Sequence, residues 1–324
     1  MTIELPELGF GGAPVGGLLD SVDDAAALDA LAAALKSGIR YFDTAPLYGF
    51  GLSERRTGDM VRGTEGIVIS TKVGRLLKPG RPADPNRFAW SNPLPFHPEY
   101  DYGYDGVMRS FEDSQQRLGR DKIDMLFLHD IGSDTHRDPT EEARHFKEAM
   151  TGGYKALDEL RSAGDVKAIG IGVNETDVSM RTLDHGDWDV FLLAGRYTLL
   201  EQGALDALLP KCDAQSVKIV IGGPFNSGIL VGGATWNYKA APTDILERVE
   251  GLKRVCTAHN VPLPAAALKF PLAHASVISV IPGVRTPGEF SQLMQWWTTE
   301  IPSCFWSDLM HEGYVREDAP VPVS

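Results

Sequence analysis

The chain has 324 residues, 43% of them hydrophobic, which is enough for one large core, and a single barrel can use this length without dividing into domains. A formal net charge of -13 at pH 7 repels phosphate-rich partners, so neither nucleic acid nor an anionic membrane surface is expected to bind. The 3 cysteines (Cys212, Cys256 and Cys304) form neither a disulfide framework nor a zinc pattern, the apolar runs stop short of the roughly 20 residues a membrane span needs, and no signal-like segment opens the chain; a reducing, cytoplasmic setting is expected.

Along the chain, short runs rich in Val, Ile and Leu alternate with amphipathic stretches. Strands are expected at residues 8–12, 41–44, 67–71, 125–129, 168–173, 190–194, 218–221 and 277–281. They are continuously apolar rather than alternating, as parallel strands covered on both faces are. Helical patterns fall at 23–37, 105–118, 154–162, 243–259 and 287–297, the first three ending before Gly38, Gly119 and Gly164. Eight strand-and-helix alternations predict an α/β fold of the (β/α)8 TIM-barrel class in a single domain, 1–324. An open doubly wound sheet is the alternative, but no glycine fingerprint follows the first strand. Residues 76–102, rich in Pro and aromatics such as Phe88 and Trp90, show no period and predict a long irregular loop; a tail without pattern is expected from 307.

Polar residues interrupt the apolar strands at their ends. Asp43, Lys72 and His129 close the second, third and fourth strands, and Tyr48 follows the second. In a barrel these ends surround one mouth, so the four would converge. Singly each has a plainer role: Asp43 capping the turn before Pro46, Lys72 reaching outward, His129 a satisfied structural histidine, Tyr48 loop packing. Together they make an acid–base set. A phenol is a poor base at neutral pH unless a buried ammonium lowers its pKa, a carboxylate keeps that ammonium charged, and an imidazole binds the substrate oxygen. No metal-ligand spacing is present, and no metal is expected.

The segments around Tyr41 to Gly49, Ser70 to Gly74 and Leu126 to Asp130 resemble the aldo-keto reductases: an FDTA-x-x-YG turn, a TK strand end and an LH strand end, in the family's order and spacing. The likeness runs from about Leu8 to Trp297. It implies that Tyr48 is the general acid/base, that Lys72 and Asp43 tune it, and that His129 orients the substrate oxygen. It also implies a nicotinamide dinucleotide lying extended across the mouth. Asn174 matches a position that binds the nicotinamide amide. Val173, Ala194 and Gly222 replace residues the family uses there, and Phe225 is a candidate to take over the ring packing. The stretch 223–230, with Gly223, Pro224, Phe225, Ser227 and Leu230, resembles the loop over the pyrophosphate. Pro282, Gly283, Val284, Arg285, Glu289 and Gln292 match the adenosine end. An acid at Glu289 repels a 2′-phosphate and accepts from a 2′-hydroxyl, which predicts NAD over NADP, with Arg285 the one cation that opposes this.

Several stretches, among them Gly51-Leu52-Ser53-Glu54 and Gly172-Val173-Asn174-Glu175, resemble a subgroup of the family: D-threo-aldose 1-dehydrogenases (L-fucose dehydrogenases) and pyridoxal 4-dehydrogenases. The resemblance implies NAD-dependent oxidation of an aldose hemiacetal to its lactone. Oxidation of pyridoxal hemiacetal is the second reading, and a cofactor-binding regulatory subunit is the third. Trp90 and Trp236 are expected to line the substrate pocket, and the only expected partner is a small-molecule sugar or pyridoxal.

Overall fold

The computed structural model describes residues 3–82 and 89–323. Pro85 and Phe88 of the expected irregular loop, with the rest of 83–88, lie outside the described residues. In chain order the strands are β1 (Phe10–Gly11), β2 (Tyr41–Asp43), β3 (Val68–Val73), β4 (Arg75–Pro79), β5 (Phe96–Tyr100), β6 (Met125–His129), β7 (Ala168–Val173), β8 (Val190–Ala194), β9 (Lys218–Gly222), β10 (Thr235–Trp236), β11 (Lys239–Ala240) and β12 (Val277–Ile281). The α-helices are α1 (Asp24–Lys36), α2 (Leu52–Val61), α3 (Tyr104–Leu118), α4 (Pro139–Glu148), α5 (Tyr154–Ala163), α6 (Thr176–Thr182), α7 (Leu208–Gln215), α8 (Thr243–Ala258), α9 (Leu263–Lys269), α10 (Pro287–Thr298) and α11 (Ser303–His311).

Eight of the strands pair in parallel in the order β1-β2-β3-β6-β7-β8-β9-β12. The sheet closes on itself: Leu8 bridges Val280 in parallel, and the Gly9 and Gly11 amides donate to Val280 and Pro282 carbonyls at 2.9 and 3.0 Å. This is the expected single (β/α)8 barrel. Two apolar layers hold it. Tyr41, Met125, Phe127, Ala168, Val190, Leu192, Val220 and Ile281 fill the inside of the cylinder, and the outward residues of the same strands pack beneath the helices. Alternate residues of each strand serve the two layers, which is why both faces are apolar.

Two expectations are corrected. The stretch 76–102 is not irregular throughout: β4 and β5 form an antiparallel hairpin in which Leu77 opposes Pro98. Its prolines and half-exposed faces hide any period, and a two-stranded ribbon at the edge tolerates proline where a central strand would not. The patternless tail begins later than 307, because α11 runs to His311, buried through Phe305, Trp306 and Leu309. No helix among the described residues is long and apolar enough to cross a membrane.

Candidate active site

Register brings the polar strand ends to one mouth. Asp43 lies opposite Ser70 on β3, Lys72 opposite Phe127 on β6, and His129 opposite Gly172 on β7. Lys72, 1% exposed, donates to Asp43 Oδ2 at 2.7 Å, to Asp43 Oδ1 at 3.0 Å and to the Thr44 carbonyl at 2.9 Å. The Ser70 hydroxyl adds a 2.6 Å bond to Asp43 Oδ1. Burial raises the Asp43 carboxyl from its usual range, and Lys72 and Ser70 act against that. Tyr48 follows in the turn after β2, its ring centroid 4.6 Å from Lys72 Nζ, 5.9 Å from the His129 ring and 5.5 Å from Trp90. The four residues of the expected set therefore meet.

Their electrostatics differ from the simple expectation. Burial pushes the Tyr48 phenol well above its ordinary value, the Asp43 and Asp130 carboxylates push it further, and the cation that pulls it down is Arg75. Lys72, whose N–H groups are directed to Asp43 and Thr44, does not offset the Asp43 effect. His129 is driven well below the usual imidazole range by burial, then by Arg75 and Lys72, so its ring is neutral. Arg75, at the start of β4, donates to Asp130 Oδ2 at 2.7 Å.

A cleft of about 460 Å³ opens beside Asp43 and Tyr48 and continues to α10. Of the expected cofactor residues, Gly223, Pro224, Phe225, Ser227, Gly283, Val284, Arg285, Glu289 and Gln292 line it. Pro282, Leu230 and Asn174 are not among its walls. Pro282 is buried and its carbonyl receives the Gly11 amide; Leu230 is in the core, 1% exposed. Asn174 accepts from Arg196 Nε at 2.8 Å through its carbonyl and from the Tyr238 hydroxyl at 3.4 Å through Oδ1. Trp90 is beside Tyr48, ring centroids 5.5 Å apart, but it is not among the residues that line the cleft. Trp236 is turned to Glu201, to which its indole N–H donates at 2.9 Å, and it does not line the cleft.

The floor is made of small groups: Gly11, Gly12, Ala194 and Gly222, with Leu192 and Ile281. A Cβ at Gly222 would press on Leu192 and Ala194 at 3.1 and 3.3 Å, and one at Gly283 would strike Pro14. Such a floor accepts a flat ring and a close-lying backbone, which is what an extended dinucleotide needs. Phe225 packs edge-on against Trp296 of α10 at 5.9 Å. At the same end Glu289 receives the Arg285 amide at 2.7 Å, and the Arg285 guanidinium lies 3.4 Å from Asp20 and 3.6 Å from Glu289.

Sequence reasoning missed Arg75, Asp130, Tyr238 and Trp296. Tyr238 closes the turn between β10 and β11 and lines the cleft. Its one signal was the turn-forming Asn237 before an aromatic residue.

Comparisons with known proteins give the family. The model of the aldo/keto reductase family matches residues 7–310. Pyridoxal 4-dehydrogenase of Microbacterium luteolum is 46% identical over 324 residues, covering 95% of this chain and 94% of that protein. D-threo-aldose 1-dehydrogenase of a Pseudomonas species is 38% identical over 318 residues, covering 95% and 94%. Among solved structures, the holo form of an aldo-keto reductase from Bacillus halodurans superposes with a TM-score of 0.71 at 24% identity, covering 95% of this chain and 92% of that one. The chain belongs to the aldo/keto reductase family of oxidoreductases.

Proposed function

We propose that the protein oxidises a cyclic hemiacetal to its lactone with NAD, Tyr48 serving as the base. The observation that carries this is the Tyr48 phenol standing over the Lys72–Asp43 pair at the open end of a long cleft. The bound nicotinamide would accept hydride from the carbon that carries the anomeric hydroxyl. The rest is work for the chain's own groups. Gly223, Pro224, Ser227, Gly283 and Val284 line the path of the dinucleotide, and the small floor leaves the ring room beside Tyr48. Tyr48 Oη takes the hydroxyl proton, and the neutral His129 bonds the same substrate oxygen. Because burial and two carboxylates hold the phenol up, oxidation speeds up as pH rises through the alkaline range, the base form growing about tenfold per unit below its pKa.

We place a pyridoxal-type hemiacetal ahead of an aldose. The relative that acts on pyridoxal shares more residues, 46% against 38%. Trp90 beside Tyr48 and Tyr238 on the cleft wall give aromatic surfaces suited to a flat pyridine. The aldose reading stands second, supported by the D-threo-aldose 1-dehydrogenase relative. We infer NAD over NADP because Glu289 faces the cleft and Arg285 is already engaged by Asp20 and Glu289.

Steady-state assays with pyridoxal, L-fucose and D-arabinose, each with NAD and NADP, test these assignments. Turnover is expected, highest with pyridoxal, with at least about a tenfold preference for NAD. Tyr48→Phe should lose about 10²- to 10⁴-fold in kcat yet bind NAD unchanged. Inactivity on all three substrates, or an active Tyr48→Phe, contradicts the proposal; inactivity with intact NAD binding would favour a regulatory subunit.

A further inference from the structure

An ion pair beside Asp43, Tyr48, Lys72 and His129 has no part in the reaction as written so far. Arg75 follows Gly74, a left-handed residue (φ +96°) against which the Tyr102 ring packs, and the turn swings the guanidinium back into the mouth. Arg75 is 3% exposed, lies over the Tyr100 ring at 5.5 Å, and donates to Asp130 Oδ2 at 2.7 Å. Asp130 comes directly after His129 and holds a left-handed backbone, φ +49°, unusual for any residue but glycine, asparagine or aspartate. Its amide donates to the Gly172 carbonyl at 3.0 Å, and the Tyr102 hydroxyl donates to the His129 carbonyl at 2.9 Å. This anchored backbone puts Asp130 Oδ2 3.4 Å from His129 Nε2.

The other ring nitrogen, His129 Nδ1, is buried without a hydrogen-bond partner among the described residues. A neutral imidazole carries one N–H. Placed on Nδ1 it would be a buried donor with nothing to accept it. Placed on Nε2 it lies 3.4 Å from the Asp130 carboxylate, outside hydrogen-bond geometry, so the negative charge favours that tautomer while the N–H stays free for a substrate oxygen. We propose that Asp130, held in place by Arg75, is a positioning residue that keeps the proton of His129 on Nε2, so that the ring offers a donor to the substrate oxygen. This rests on the reaction proposed above. As Tyr48 removes the hydroxyl proton, negative charge grows on that oxygen; an N–H stabilises it, whereas a bare ring nitrogen would repel it.

The groups acting on the Tyr48 phenol are Tyr41 and Asp43 from β2, Lys72 from β3, Arg75 from β4, His129 and Asp130 from β6 and its end, and Tyr238 from the β10–β11 turn. Within this set Asp130 raises the phenol and Arg75 lowers it. Removing one charge at a time therefore moves the pH–rate curve in opposite directions.

Long-range ¹⁵N–¹H NMR of the unliganded protein tests the proposal, with the His129 signals assigned against His129→Gln. Protonated Nε2 and bare Nδ1 are expected in the wild type. Asp130→Asn, which tolerates the left-handed backbone, should mix the two tautomers, since the charge that favours a proton on Nε2 is gone. It should also lower kcat by about tenfold or more. The rise of oxidation rate with pH should move to lower pH in Asp130→Asn and to higher pH in Arg75→Gln. A proton on Nδ1 in the wild type, an unchanged tautomer in Asp130→Asn, or pH profiles displaced the same way overturn the proposal. The spectrum needs neither substrate nor an active variant. Failure of hemiacetal oxidation with Nε2 protonated would count against the reaction alone.

Discussion

Lys72 has three N–H donors, and all three are spent: two on Asp43 and one on the Thr44 carbonyl. It reaches Tyr48 only through space, over the ring. The lysine therefore serves first to keep a buried carboxylate charged and in place. Lys72→Met leaves Asp43 buried with Ser70 as its remaining side-chain donor, and removing one partner of such a pair costs about 3–5 kcal/mol. Urea denaturation of Lys72→Met should show that loss, and Asp43→Leu/Lys72→Met should recover much of it, because no unpaired charge remains. Equal destabilisation of the single and double variants would mean that the pair is held by packing rather than by charge. These residues were legible in the sequence because each breaks an apolar strand where a barrel places its chemistry. Arg75 and Asp130 were not: Arg75 begins a proline-interrupted hairpin without period, and Asp130 reads as an ordinary strand-end turn residue.

The barrel strands were readable to within a residue or two because burial on both faces writes them as unbroken apolar runs. Several helices were not. Helix α2 buries Glu54, Arg56 and Thr57 rather than an apolar stripe. Thr71 and Arg117 satisfy Glu54, and Asp24 satisfies Arg56, so hydrophobic periodicity carries no trace of the element. The β10–β11 hairpin is as short as a hairpin can be. Trp236 opposes Lys239, and Asn237 and Tyr238 make the turn with φ of +48° and +61°. Positive φ at both positions suits Asn-Gly better than Asn-Tyr, so the tyrosine is held against backbone preference. Its ring lines the cleft, and its hydroxyl bonds Asn174. Tyr238→Gly should thus leave the hairpin intact or firmer while removing the ring. The expected result is a higher KM with little change in thermal midpoint; a drop in stability with KM unchanged would show the ring to be a packing group instead.

Closure of the cylinder leaves the eight-stranded sheet without an edge and seals much of the chain's ionisable chemistry from water. Tyr41, Tyr102 and Tyr197 are each 0% exposed, and burial raises all three phenols above their ordinary value. Cys212 and Cys256, 0% and 4% exposed, are pushed from 9.0 up to about 12. The sign is the same for all five. Unfolded, the thiols ionise near pH 9 and the phenols near pH 10; folded, they keep their protons. Above those values the native state binds more protons than the unfolded chain, so stability falls as pH rises. Each thiol contributes about 1.4 kcal/mol of loss per pH unit between 9 and 12, and the phenols add to it above 10. Guanidinium denaturation at pH 8, 9.5 and 10.5 should show a midpoint that drops progressively, and Cys212→Ala/Cys256→Ala should remove the part that begins near pH 9 while keeping the part that begins near 10. The alkaline conditions that favour the Tyr48 base are then the conditions that loosen the barrel, so the rise of oxidation with pH ends where the native state is lost. A midpoint flat to pH 10.5 would mean that the sealed groups reach water while the barrel is still folded.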